Sequence, residues 1–192
     1  VLLIQEFMAI LPIVTYDDPV LREKTKEVAE LSPAIKQLVS DMYETMYNAD
    51  GVGLAAPQVG RNERIFVIDP DPISEEVDNK SWGKMAFINP VILRKWGDEK
   101  PYKEGCLSLP ELFEDVHRPS NIEIEYLDEN FEKHRLEADG FLSRVIQHEF
   151  DHLEGILFID YLSRFKKRLI AKKLRKIDTG NQEAAYPLVP RP

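Results

Sequence analysis

Apolar residues recur along this chain at two spacings. Behind Ser32 and Pro33, residues Ile35, Leu38, Val39, Met42 and Met46 fall on one side of a helical repeat. Serine as N-cap and proline at the first helical position start a helix there, and Asn48-Ala-Asp-Gly51 ends it. Phe141, Val145, His148, Glu149 and His152 share one side of a later helix, from near Gly140 to around Gly155. The inward face of that helix is half apolar and half polar. Arg64 to Asp69 (RIFVID) and Ala86 to Leu93 (AFINPVIL) predict strands, separated by an exposed Pro- and acid-rich loop, PDPISEEVDNKSWGK. Ile122, Ile124 and Tyr126 alternate with polar residues, the period of a half-buried strand over Asn121 to Leu127. Phe131 to Asp139 pairs with it across the turn Asp128-Glu129-Asn130. Strands and helices that do not alternate one to one indicate an α+β fold.

A chain of 192 residues is most simply one catalytic-size domain with room for a core. Its single cysteine excludes an intrachain disulfide, and no apolar run is long enough to span a bilayer. A cytoplasmic protein with no membrane partner is therefore expected. The opening VLLIQEF lacks the basic lead and cleavage site of a signal peptide. Met8 reads as a natural start, with residues 1–7 an optional extension. Charge is unevenly spread: Ser163 to Ile177 holds eight cations and no acid, so the rest of a chain of net −9 carries −17. A basic helix on an acidic body suggests a partner that is polyanionic at one place. Residues 178–192 are polar and Pro-rich and predict a flexible tail.

The string HEFDH at residues 148–152 puts His148 and His152 one turn apart on one helix face. Both imidazoles can grip one metal ion while Glu149 reaches a water on it. Alone, the motif points to a zinc-dependent protease, which usually takes a third ligand from a downstream Glu or His. No histidine follows His152; Glu154 is too close on the same helix, and Glu183 lies in the polar tail. The third ligand then has to come from upstream. Cys106, in EGCLSLP, would complete three ligands and leave the open position of a catalytic site. A lone cysteine is more commonly a small buried hydrophobe, but Gly105 lets backbone come close to another group. The Leu107 N–H, just after the cysteine, is placed to face a substrate oxygen. The segment GVGLAAPQVG, residues 51–60, lacks the Lys-Ser/Thr ending of a phosphate loop. Its plain reading is a helix C-cap and turn at Gly51; its chemical reading is Gln58, a neutral donor for a developing oxyanion.

Taken in order, GVGLAAPQ, EGCLS and QHEFDH closely resemble the three signature motifs of the peptide deformylases, of bacterial type, and the resemblance runs from about Ile10 to about Lys176. It implies small antiparallel sheets packed around a central metal-binding helix. The implied activity is removal of the N-formyl group from the first methionine of new polypeptides, with release of formate. The implied cofactor is one divalent ion, Fe²⁺ natively, with Zn²⁺, Ni²⁺ or Co²⁺ able to replace it. By motif matching, Cys106, His148 and His152 are the ligands, Glu149 the acid/base, and Gln58 and the Leu107 N–H the oxyanion donors. The Gly53 carbonyl would pair with the peptide as an added strand, and Val52, Phe141, Val145 and His148 would shape a methionine pocket. One position departs: well-known members carry Arg three residues after the Pro of the second motif, where this chain has Phe113. Arg144, one turn before His148, has no direction set by the sequence. Two other readings compete, an HExxH metalloprotease and a non-enzymatic ribosome or RNA binder. Both the latter and the deformylase reading use the basic helix, docked through Phe165, Leu169, Ile170, Leu174 and Ile177, against the ribosome near its exit tunnel; DNA is not an expected partner.

Overall fold

The elements in chain order are β1 (Ile13–Val14), α1 (Pro33–Asn48), β2 (Gly53–Ala55), β3 (Ile65–Ile68), β4 (Met85–Cys106), β5 (Leu109–Leu127), β6 (Lys133–Ala138), α2 (Gly140–Leu153), α3 (Arg164–Asp178) and β7 (Leu188–Val189). This computed structural model describes residues 9–73 and 79–189. The extension read at residues 1–7 lies outside them, as do residues 74–78 of the acid-rich loop and 190–192 of the tail.

β2 to β6 form one antiparallel sheet in the order β2-β3-β4-β5-β6. The run Ile65-Phe-Val-Ile68 shows how it is packed, because side chains alternate faces along a strand. Ile65 and Val67 join α1 residues Leu38, Val39, Met42 and Met46 in one apolar cluster. Phe66 and Ile68 join α2 residues Phe141, Leu142, Val145 and Ile146 in another. The middle of the sheet is thus buried on both faces, one under each helix. That explains why β3 reads as a continuous apolar run.

Both helices end by the same device. Ser32 Oγ accepts the Ile35 N–H at the start of α1. At its end the left-handed residue is Asp50 (φ 52°), with Gly51 N–H returning to Met46 O at 2.9 Å. The C-cap turn expected at Gly51 is therefore made one residue earlier. At the end of α2, Ile156 N–H returns to Asp151 O at 2.9 Å and Gly155 (φ 73°) is the left-handed residue. A Cβ on Gly155 would meet the Arg22 carbonyl, so only glycine fits.

β4 and β5 extend well beyond the predicted 86–93 and 121–127. They form one long hairpin in which Cys106 pairs with Leu109 across the two-residue loop Leu107-Ser108. The outer part of β4, residues 94–103, is mostly exposed and charged with no hydrophobic alternation to announce it, while β5 opposite buries Leu112, Val116 and Arg118 on one face. The small second sheet is parallel, not antiparallel: β1 pairs with β7, so residues of the expected loose tail lie back on the body. On α3 only Ile170 and Ile177 are buried and Leu174 packs beside them; Phe165 and Leu169 are exposed. The docking stripe is narrower than its sequence pattern. No helix among the described residues is long and apolar enough to cross a membrane.

Candidate metal centre and active site

Cys106 is the last residue of β4, and His148 and His152 stand one turn apart on α2. Their ligating atoms lie within 4.8 Å of one another, with Cys106 Sγ 3.3 Å from His152 Nε2. One thiolate and two imidazoles are a donor set that fits Zn²⁺ or Fe²⁺ and leaves a coordination position for water. Burial lowers the proton affinity of His148, but Cys106 and Glu104 outweigh it and hold that affinity well above the usual value. Burial and His148 push His152 well below its usual value. A negative field concentrated on one imidazole, beside a second kept neutral, suits a divalent cation.

The candidate ligand His148 is oriented from behind. Its Nδ1 lies 2.9 Å from Glu104 Oε2, which leaves Nε2 for the metal. Glu104 is itself held by the buried Arg118, through Nε at 2.8 Å and Nη2 at 3.0 Å. Arg118 Nη1 also reaches Asp151 Oδ2 at 2.6 Å, and the Tyr161 hydroxyl donates to the same oxygen at 3.0 Å. Arg144 turns away from its helix onto the hairpin, donating to Glu104 Oε1 at 2.9 Å, Val116 O at 2.9 Å and Lys100 O at 2.7 Å. Its direction is thereby fixed as a brace. Burial opposes ionisation of Glu104, yet hydrogen bonds from His148 and Arg118 hold its carboxyl well below the usual carboxylate range.

Glu149 is buried, and its Oε2 has no hydrogen-bond partner among the described residues. Burial pushes its carboxyl up to about 7, near the value useful to a general base at neutral pH. A Cβ on Gly53 would collide with this carboxylate, so the first motif needs glycine where the third motif brings its glutamate. Gln58 sits in a 3-10 turn, Ala56–Val59, and is buried. Its Oε1 accepts the Ala55 N–H at 2.8 Å, which aims Nε2 at Cys106 Sγ and Ser108 Oγ, both at 3.4 Å. Val52, Gly53, Gln58, Leu107, Phe141, Val145, His148 and Glu149 all line one cleft of about 770 Å³. Phe113 stands exposed at its rim, with its ring edge on the spot a Gly105 Cβ would fill. The close approach at Gly105 is thus to Phe113.

Glu104, Arg118, Asp151, Tyr161 and Tyr186 were not read from the sequence. For Glu104 a signal existed: it precedes Cys106 by two residues, the same face of a strand. Arg118 had none.

Fold, cleft and donor set together are those expected of a metal-dependent hydrolase with a candidate metal centre beside the cleft. The family model of polypeptide deformylase matches residues 10–168. Peptide deformylase of Cytophaga hutchinsonii is 50% identical over 177 residues, covering 92% of this chain and 95% of the relative. That of Salinibacter ruber is 50% identical over 184 residues, covering 94% of each. The crystal structure of peptide deformylase from Ehrlichia chaffeensis in complex with actinonin superposes with a TM-score of 0.81 at 38% identity, covering 92% of this chain and 100% of that one. The chain belongs to the peptide deformylase family. It is a metal-dependent hydrolase that removes the N-formyl group from N-formylmethionyl polypeptides; neither the protease nor the non-enzymatic RNA-binding reading is supported.

Proposed function

We propose the following division of labour for deformylation. Cys106, His148 and His152 hold one divalent ion, which when bound supplies Lewis-acid activation of water and of the formyl oxygen. Glu149 accepts the proton of the attacking water and returns it to the amine nitrogen as the C–N bond breaks. Formate and a free N-terminus result. Gln58 Nε2 and the Leu107 N–H donate to the formyl oxygen as charge develops on it. Backbone at Gly53, the first residue of the edge strand β2, and at Val52 just before it pairs with the peptide, and Phe141 and Val145 contact the methionine side chain. The observation that carries this reading is the buried, unpartnered Glu149 oxygen beside Gly53 and the Cys106–His148–His152 cluster. Glu149→Gln is expected to keep one metal per chain and lose formate release by at least about a hundredfold. Metal loss in that variant would make Glu149 a ligand, and near-normal turnover would remove its role.

The thiolate and imidazole donors accept several first-row ions, and the family resemblance puts Fe²⁺ first. Protein purified without oxygen should then carry iron, and lose activity in air as iron and Cys106 oxidise. The domain is proposed to act in the cytoplasm on nascent chains at the ribosome, through α3. Lys172, Lys173, Arg175 and Lys176 are exposed there, whereas Lys166 is committed to Glu114 at 3.0 Å. Lys172→Glu with Lys173→Glu should weaken ribosome co-sedimentation, which itself should fall steeply with salt, while a short formyl-Met peptide is still cleaved. Unchanged sedimentation would leave these charges as a solvated face.

A further inference from the structure

Cys106 and Leu107 belong to a hairpin end of unusual shape. A two-residue hairpin loop normally needs left-handed backbone to match the twist of its strands. Neither Leu107 nor Ser108 has positive φ. The left-handed residue lies beside the loop instead, at Glu111 (φ 58°), where the register shifts between Gly105 and Cys106, and contacts from outside the hairpin also hold the loop. The Tyr16 N–H donates to Ser108 O at 3.0 Å, Gln58 Nε2 lies 3.4 Å from Ser108 Oγ, and the Tyr186 hydroxyl donates to Leu107 O at 2.8 Å.

Tyr186 comes from the segment that follows α3. Along it Gln182, Ala184, Tyr186 and Leu188 are half-buried while Glu183, Ala185, Pro187 and Val189 are exposed, the alternation of an extended chain laid on a surface. The strap is tied at one end by Gln182 Nε2 to Glu111 Oε2. At the other, the Ile13 N–H donates to Pro187 O at 2.9 Å, where β7 joins β1. Between these ties Glu183, Ala184, Ala185 and Tyr186 line the substrate cleft.

We propose that residues 181–189 form a wall of the peptide-binding cleft, and that Tyr186 is a positioning residue that aims the Leu107 N–H by holding the Leu107 carbonyl. Cys106 pairs with Leu109 on one side of Leu107, next to a register shift in the ladder. Tyr186 fixes the peptide plane on the other. Between the two the Leu107 N–H has little room to swing, and an oxyanion donor works only when its direction is set before the charge appears. The proposal rests on the oxyanion role given to Leu107 above.

The test is Tyr186→Phe, which keeps the ring and removes the hydroxyl, assayed for formate release from formyl-Met-Ala-Ser beside metal content. Loss of positioning predicts a fall in kcat of about tenfold with KM within about twofold and one metal per chain. A merely structural role would lower the melting temperature and metal content and leave kcat per bound metal unchanged; that result overturns the proposal. Removing residues 182–192 should lower kcat as much and also raise KM for the same peptide, because a wall is lost with the tether; unchanged KM overturns the wall. Gln58→Ala separates this idea from its premise. If Gln58→Ala loses turnover and Tyr186→Phe does not, the tether is wrong and the oxyanion reading stands. If neither loses turnover, both are wrong.

Discussion

On one side of the cleft, Arg118, Glu104 and Asp151 are almost wholly buried and interlock charge to charge behind His148. On another, the strap from residue 181 to 189 lies at the surface and reaches the chemistry through one phenol hydroxyl on a backbone carbonyl. The first arrangement takes three charges out of water. That is unfavourable unless every partner is in place, and it is very costly to disturb. In return, the proposed ligand His148 is held in one orientation. The second removes little from water, so on the proposal above changes there should act on kcat and KM without loss of the metal.

The largest break in that comparison is Arg118→Met. It strands Asp151 without its cation and leaves Glu104 with Arg144 as its one remaining arginine, so a loss of stability of about 3–5 kcal/mol is expected, read as a lowered denaturant midpoint at neutral pH. A midpoint near that of the parent protein would show that the buried carboxylates find other partners. Next comes Glu104→Gln, which leaves the fold but loosens His148. Metal affinity should fall about 10- to 100-fold in competition with a chelator. The same variant carries a pH signature. Glu104 is held below its unfolded value, near 4.3, so its contribution is present above that pH and lost as pH falls toward the folded value. The melting temperature of Glu104→Gln should therefore decline less between about pH 4.5 and 3 than that of the parent. An equal decline would place the acid sensitivity elsewhere.

Gly53→Ala probes the meeting of the first and third motifs. The added methyl displaces the Glu149 carboxylate, so turnover should drop by about a hundredfold with metal retained, seen as formate release per bound ion. Full turnover would mean the carboxylate has another working position. The smallest effect belongs to the strap: Ala185→Ser, at an exposed position bordering the cleft, should change stability by less than about 0.5 kcal/mol. A larger shift in thermal unfolding would mark the strap as part of the folding core.

The two halves of the molecule differed in how far they could be read in advance. α1 and α2 are amphipathic over four turns each, and both ends carry capping signals, so they were legible from Ser32-Pro33 to Gly155. The candidate ligands, Glu149 and Gln58 lie in short motifs whose residue types only make chemical sense together. The outer hairpin was hidden because residues 94–103 face water on both sides and have no apolar period. Arg118 was hidden because a buried cation looks like a surface one until its partners at positions 104 and 151 are brought to it by the register of β4 with β5 and by α2. The strap did carry a pattern, Ala184, Tyr186 and Leu188 at every second position. It has only three apolar inward residues and is interrupted by Pro187, which is too little to distinguish from a polar tail.

The central claim is that one thiolate and two imidazoles hold a single ion while Glu149 stays off it. X-ray absorption of the zinc-loaded protein tests it directly. The account predicts one sulfur at about 2.3 Å and two imidazole nitrogens at about 2.0 Å, with one further light atom from water. The sulfur should be lost in Cys106→Ser and the pattern left unchanged in Glu149→Gln. A shell without sulfur, or one that loses an oxygen ligand in Glu149→Gln, would contradict it.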